Sequence, residues 1–254
     1  MLRTGICSVT FRRLDPRQVV EAAKRAGLEG IEWGGDLHVP HGQTELALEV
    51  RRLTEEAGLR VAAYGSYYRA GSRGDNNPEF ADVLASAKAL GAPVIRVWAG
   101  DLGSAEMDEA TVGLLTADAR RISAEAETEG IRIAFEYHNH TMTDTLESTW
   151  RMLQLIDRPA VRSYWQASGD RTAEEQLQSI RTLLPRLSNV HVFYSEESRR
   201  MPLSQGSAVW TSYIRELAQS PRDRYLLLEF VKDDDVEQMM QDVAELKRMV
   251  NEIS

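Results

Sequence analysis

Short apolar runs alternate with amphipathic stretches along the whole chain. Residues 4–11 (TGICSVTF), 30–33 (GIEW), 59–64 (LRVAAY), 93–98 (PVIRVW), 161–166 (VRSYWQ), 189–194 (NVHVFY) and 225–231 (YLLLEFV) read as strands, as does the start of 132–140 (RIAFEYHNH). These runs are apolar almost throughout, the pattern of parallel strands covered on both faces. Helical stretches separate them: Pro16 to Gly27, Thr44–Ala57, Pro78–Leu90, Met107–Glu129, Leu146–Ile156, Ala173–Leu184, Trp210–Leu217 and Val236–Val250. Asp15 before Pro16 is a helix start, and Gly27, Gly58, Gly91 and Gly130 are stops. Eight strand–helix units predict a single-domain (β/α)8 barrel over residues 1–254, in preference to a doubly wound sheet. The polar loops 65–77 and 195–208 are expected to shape its pocket. No GxGxxG opens the first turn, and the glycines at 71 and 74 are followed by no Gly-Lys-Ser/Thr, so nucleotide readings are weak.

Barrel enzymes carry their chemistry at the C-terminal ends of the strands. The fifth strand ends there in Glu136, Tyr137, His138, Asn139 and His140. A carboxylate between Phe135 and Tyr137 is costly unless it is paired or binds a metal. Glu229, between Leu228 and Phe230, is its counterpart, and His191 and Gln166 close two further strands. The alternatives are a rim salt bridge for each glutamate, a core imidazole for His191 and a hydrogen-bonding pocket residue for Gln166. Together the four form a mixed oxygen and nitrogen donor set suited to Mn²⁺, Mg²⁺, Co²⁺ or Zn²⁺. Arg96, alternating with Trp98, could pair with Glu136. His38, Trp98, His138, His140 and Trp165 are the candidate substrate contacts, their rings suited to the C–H face of a sugar.

Composition narrows the partners. The chain has 254 residues, 43% hydrophobic and 27% charged, with a net charge of -9, which disfavours nucleic acid. Cys7 is the single cysteine, so no intrachain disulfide forms. Neither a signal peptide nor a run of about 20 apolar residues is present, so no membrane partner and a cytoplasmic location are expected.

The pieces FEYHNH, SYWQ, NVHVF and LLLEF, in this order and spacing, resemble the xylose isomerase-like barrels, the sugar phosphate isomerase/epimerase superfamily. The resemblance covers essentially the whole chain. It implies a divalent metal, Mn²⁺ first among the candidates, held by Glu136, Gln166, His191 and Glu229. It also implies that Glu136 and Glu229 move protons on a small sugar, ketose or cyclitol through an enediolate. Ketose 3-epimerases of this superfamily have aspartate where Gln166 stands. Their further glutamate, histidine and arginine correspond to Met142, Gly169 and Glu197. A metal-dependent isomerase or epimerase is the expectation. The alternatives are an inosose-type dehydratase, to which YHNH has a resemblance, and a non-catalytic sugar-binding barrel. Such barrels often dimerise, so a homodimer is compatible.

Overall fold

The computed structural model describes residues 1–72, 74 and 76–253; Arg73 and Asp75, in the loop expected to shape the pocket, lie outside the described residues. The elements in chain order are β1 (Leu2–Cys7), α1 (Pro16–Arg25), β2 (Gly30–Gly34), α2 (Thr44–Glu56), β3 (Arg60–Arg69), α3 (Phe80–Leu90), β4 (Val94–Trp98), α4 (Glu109–Thr128) and β5 (Arg132–Glu136). There follow α5 (Leu146–Ile156), β6 (Arg162–Gln166), α6 (Ala173–Leu183), β7 (Leu187–Val192), β8 (Tyr194–Glu196), β9 (Arg199–Met201), α7 (Ser207–Leu217), β10 (Arg224–Leu228) and α8 (Val236–Asn251). Eight strands form a closed barrel in the order β1-β10-β7-β6-β5-β4-β3-β2, with β8 and β9 as a separate hairpin. This is the (β/α)8 fold. No helix among the described residues is long and apolar enough to cross a membrane.

The chain forms two compact units. The first comprises Met1–Glu32, Leu53–Arg60 and Trp165–Ser254, and the second Trp33–Arg52 and Val61–Tyr164. In the first, β1 pairs in parallel with β10 from Leu2↔Arg224 to Ile6↔Leu228, and β10 pairs with β7 at Leu227↔His191. Cys7 is in register with Glu32. Partners at one register level of a parallel pair point to one face, and so do residues i and i+2 of one strand. Gly5, Cys7, Glu32, His191, Leu227 and Glu229 therefore share a face. Gly5 carries no side chain because a Cβ there would lie 2.8 Å from Leu227 Cδ2 and 2.7 Å from the Gly30 carbonyl oxygen. Leu227 thus packs beneath a polar layer made by Cys7, Glu32, His191 and Glu229.

In the second unit β4 pairs with β5 at Arg96↔Ala134, which puts Arg96, Trp98, Ala134 and Glu136 on one face. Ala134 is small enough to leave the Arg96 guanidinium room beside it. The helix starts follow ordinary capping chemistry. Asp15 and Gln18 form a reciprocal capping box on α1, and the side chains of Asp108, Thr145, Thr172 and Asp235 cap α4, α5, α6 and α8.

Several expected boundaries move. The first strand stops at Cys7, and Ser8–Phe11 is a buried 3-10 turn. There Thr10 Oγ1 donates to the Leu228 carbonyl (3.5 Å) and accepts from the Phe230 N–H (3.3 Å), so the chain folds over the end of β10. The third strand runs on to Arg69 with a register irregularity against β4 after Gly65. The loop 195–208 contains most of the hairpin β8–β9, turned by Glu197 and Ser198 at φ 46° and 65°, and a 3-10 turn at Leu203–Gly206. Two consecutive left-handed residues are the mark of the tight turn that suits strand twist.

Candidate metal and active site

The first unit gathers four donor groups at the C-terminal ends of its strands. Cys7 is the last residue of β1, Glu32 lies inside β2, and His191 is the next-to-last residue of β7. Glu229 is the first residue beyond β10. Burial is nearly complete: His191 is 0% exposed, Glu32 2% and Glu229 4%. His191 Nδ1 lies 3.3 Å from Glu229 Oε2, and its Nε2 lies 3.4 Å from Glu32 Oε1. Cys7, Glu32 and His191 each turn one donor atom to within 4.8 Å of the others. Cys7, Glu32 and His191, with little access to water, form a donor set that fits a divalent cation, with Glu229 on the other nitrogen of the ring, and the set by itself does not choose the ion. A candidate divalent-metal site is therefore present, and it favours metal-dependent chemistry.

The backbone at Glu229 is shaped for the task. Phe230 has a left-handed φ of 55°, strained for a bulky residue, and Thr10 holds its N–H. The same hydroxyl reaches the Leu228 carbonyl, so the peptides on both sides of Glu229 are pinned. The Arg200 guanidinium lies over the Phe230 ring, 4.6 Å from its centroid, and pairs with Asp234 at 2.5 Å. A cavity of about 440 Å³ opens here, lined among others by Thr10, Arg13, Arg200, Phe230 and Asp234.

His191 bears the electrostatic signature of a cation site. Burial alone pushes its pKa down, but Cys7, Glu229 and Glu32 outweigh burial and hold it well above the usual value. Burial pushes the Cys7 thiol up, and Glu229 and Glu32 are the carboxylates that face the two ring nitrogens. A proton on His191 thus takes the cation's part in metal-free protein. A raised folded pKa contributes stability that is complete below the unfolded value of about 6.5 and is lost as pH rises through the folded value. Chelator-treated protein is expected to lose stability as pH rises above neutrality, with a shallower loss in His191→Gln. Urea midpoints across that range for the two proteins provide the check; parallel curves would refute it.

The second unit holds a cluster of its own residues. Arg96 Nη1 and Trp98 Nε1 both donate to Glu136 Oε2, and Arg96 and Glu136 are both buried. Thr143 Oγ1 donates to the Glu136 carbonyl, fixing the strand end. The His138 ring stacks on Trp98 with centroids 4.8 Å apart, and its Nδ1 lies 2.7 Å from the Asn139 carbonyl oxygen. Arg69 covers the Trp98 ring at 4.0 Å. His38 is buried edge-on to Trp33, with centroids 5.9 Å apart. His140 is exposed at a left-handed φ of 58°.

Within the units, then, Glu229 stands with His191, and Arg96, Trp98 and His138 stand with Glu136. In the first unit Trp165 is bound into an aromatic cluster with Trp210 and Tyr213, its Nε1 donating to Ser179, and this ring serves packing. Gln166 ends β6 half-buried. Sequence reasoning missed Glu32 and the place of Cys7 beside it.

The xylose isomerase-like TIM barrel family model matches residues 20–249. The chain belongs to this family. No curated protein matches it in sequence. Among solved structures it is similar to a probable 3-DHS dehydratase involved in petrobactin synthesis from Bacillus anthracis. That match has 18% identity and a TM-score of 0.79, covering 96% of this chain and 98% of the other. A D-allulose 3-epimerase from Methylomonas sp. matches with 16% identity and a TM-score of 0.72, covering 98% of both chains. A xylose isomerase-like TIM barrel protein from Mycobacterium smegmatis, in complex with magnesium, matches with 14% identity and a TM-score of 0.73, covering 99% and 98%. At these identities the likeness shows the fold.

Proposed function

We propose that this barrel is a metal-dependent dehydratase acting on a small cyclic polyhydroxy ketone. Glu136, Gln166, His191 and Glu229 would hold one divalent ion. Support comes from the barrel order, in which β5, β6, β7 and β10 are successive neighbours, each carrying one of these residues at or just beyond its end. A bound divalent ion supplies Lewis acidity that makes the C–H beside a carbonyl more acidic. Glu229 removes that proton as general base. Its buried, pinned carboxylate is already oriented for this, with no reorganisation needed. His138 gives a proton to the departing hydroxyl. Its Nδ1–H donates to the Asn139 carbonyl, so it acts as the acid in its imidazolium form, through the second proton carried on Nε2. The cavity beside Phe230 would receive the far end of the ring.

The observation that carries elimination over epimerisation is Met142. A ketose 3-epimerase has glutamate at this position to grip its substrate. Here the side chain is apolar and 1% exposed, and its N–H is spent on the Ala99 carbonyl at 2.9 Å. The likeness to a dehydratase at the higher TM-score points the same way. The second reading, an isomerase or epimerase, begins with the same proton abstraction. Incubation of the metal-loaded protein with inososes, hydroxylated cyclohexenones and ketoses in deuterated water separates them by mass spectrometry. The expected product has lost one water and its formation stops with chelator. Deuterium incorporation without water loss would establish the isomerase instead. Absence of any metal-dependent change would leave a sugar-binding barrel.

A further inference from the structure

We propose that Glu32 is a positioning residue whose carboxylate holds the Nε2 side of His191 and so turns Nδ1 toward the metal. This rests on the metal-ligand role proposed for His191 above. A neutral imidazole has one N–H and one lone pair, and a metal ligand must present the lone pair. The two nitrogens of His191 face different carboxylates: Glu32 Oε1 at 3.4 Å from Nε2 and Glu229 Oε2 at 3.3 Å from Nδ1. A carboxylate accepting the Nε2 proton fixes the tautomer and the ring plane, and raises the donor strength of Nδ1.

Their places in the fold assign the two carboxylates to different roles. Glu229 stands beyond the end of β10, next to Phe230, which lines a cavity. Glu32 lies within β2, with Trp33 and Gly34 still ahead of it in the strand. It is 2% exposed between Ile31 and Trp33, which are both fully buried. A carboxylate in that setting requires a specific partner, and His191 is one. The rival arrangement would place the ion on the Nε2 side, among Cys7, Glu32 and His191, and so would use the thiolate and favour a thiophilic metal.

The test is Mn²⁺ affinity of the purified full chain, measured by competition with a fluorescent chelator at one pH, for wild type, Glu32→Gln and Glu32→Asp. Glu32→Gln is expected to bind Mn²⁺ about 10- to 100-fold more weakly. Glu32→Asp, which keeps the charged carboxylate, should recover most of that loss. Urea unfolding of the chelator-treated proteins verifies that each variant is folded, and the aspartate variant carries the test if the glutamine variant is not. Equal affinity in wild type and a folded Glu32→Gln overturns the proposal. Cd²⁺ provides a second readout: no thiolate charge-transfer absorption is expected in wild type. Such a band, lost in Cys7→Ser, would place the ion on the Nε2 side and also overturn the proposal. A wild type that binds no divalent ion refutes the metal reading itself, and the role of Glu32 falls with it.

Discussion

Glu229→Gln is expected to lower metal-dependent turnover by about 10²- to 10⁴-fold, the range general-base removal usually costs. The amide has nearly the shape of the carboxylate but cannot take up a proton. The geometry leaves little room for a substitute. Glu229 is buried, its neighbouring peptides are tied to Thr10, and the left-handed turn at Phe230 fixes its direction. The substitution also removes one of the two charges facing His191, so metal binding weakens as well. Turnover should therefore be measured at saturating metal, together with solvent deuterium exchange and a urea midpoint to verify folding. A folded variant that exchanges the substrate proton at the wild-type rate would exclude Glu229 as the base.

Glu229 and Glu136 are legible in the sequence because each is a carboxylate flanked by apolar residues at a strand's end. Glu32 carries the same signal, set between Ile31 and Trp33, and its strand was recognised. It does not stand out because it sits inside the run, where it reads as an interruption of a short strand. Its role depends on register, since only the pairings Cys7↔Glu32 and Leu227↔His191 put these groups on one face. Register is a long-range property, and an apolar run does not specify it.

Local chemistry was more legible than long-range contacts. The helix starts at Asp15 and the glycine stops at 58, 91 and 130 follow from capping and left-handed backbone, and the structure repeats them. The hairpin at 194–201 is not legible in the sequence because its turn is Glu197-Ser198 and not Asn-Gly, the usual signal for consecutive left-handed residues. His138 and His140, spaced as strand neighbours on one face, diverge because β5 ends at Glu136. One then stacks on Trp98 while the other is turned to solvent.

Arg96→Met should be the most destabilising single change at the site, costing about 3–5 kcal/mol in chelator-treated protein. Arg96 is 2% exposed and Glu136 3% exposed, so their ion pair is removed from water on both sides. Methionine roughly fills the volume of the side-chain stem and leaves the Glu136 carboxylate buried with its guanidinium partner gone. The indole N–H of Trp98, which remains, is a neutral donor and offsets only part of the loss. The cost belongs to the orphaned charge more than to the lost contact, and this sets the sign of the next change. Arg96→Met combined with Glu136→Gln should recover stability relative to Arg96→Met alone, because the buried charge is then removed with its partner. Urea unfolding of the wild type, both single variants and the double variant measures the coupling directly. Mn²⁺ adds a discriminating arm: if Glu136 is a metal ligand, the ion should restore part of the stability lost in Arg96→Met and less of it in the double variant. Additive effects in the cycle would show that the Arg96–Glu136 pair contributes nothing specific, and an equal response to Mn²⁺ in both variants would remove Glu136 from the ligand set.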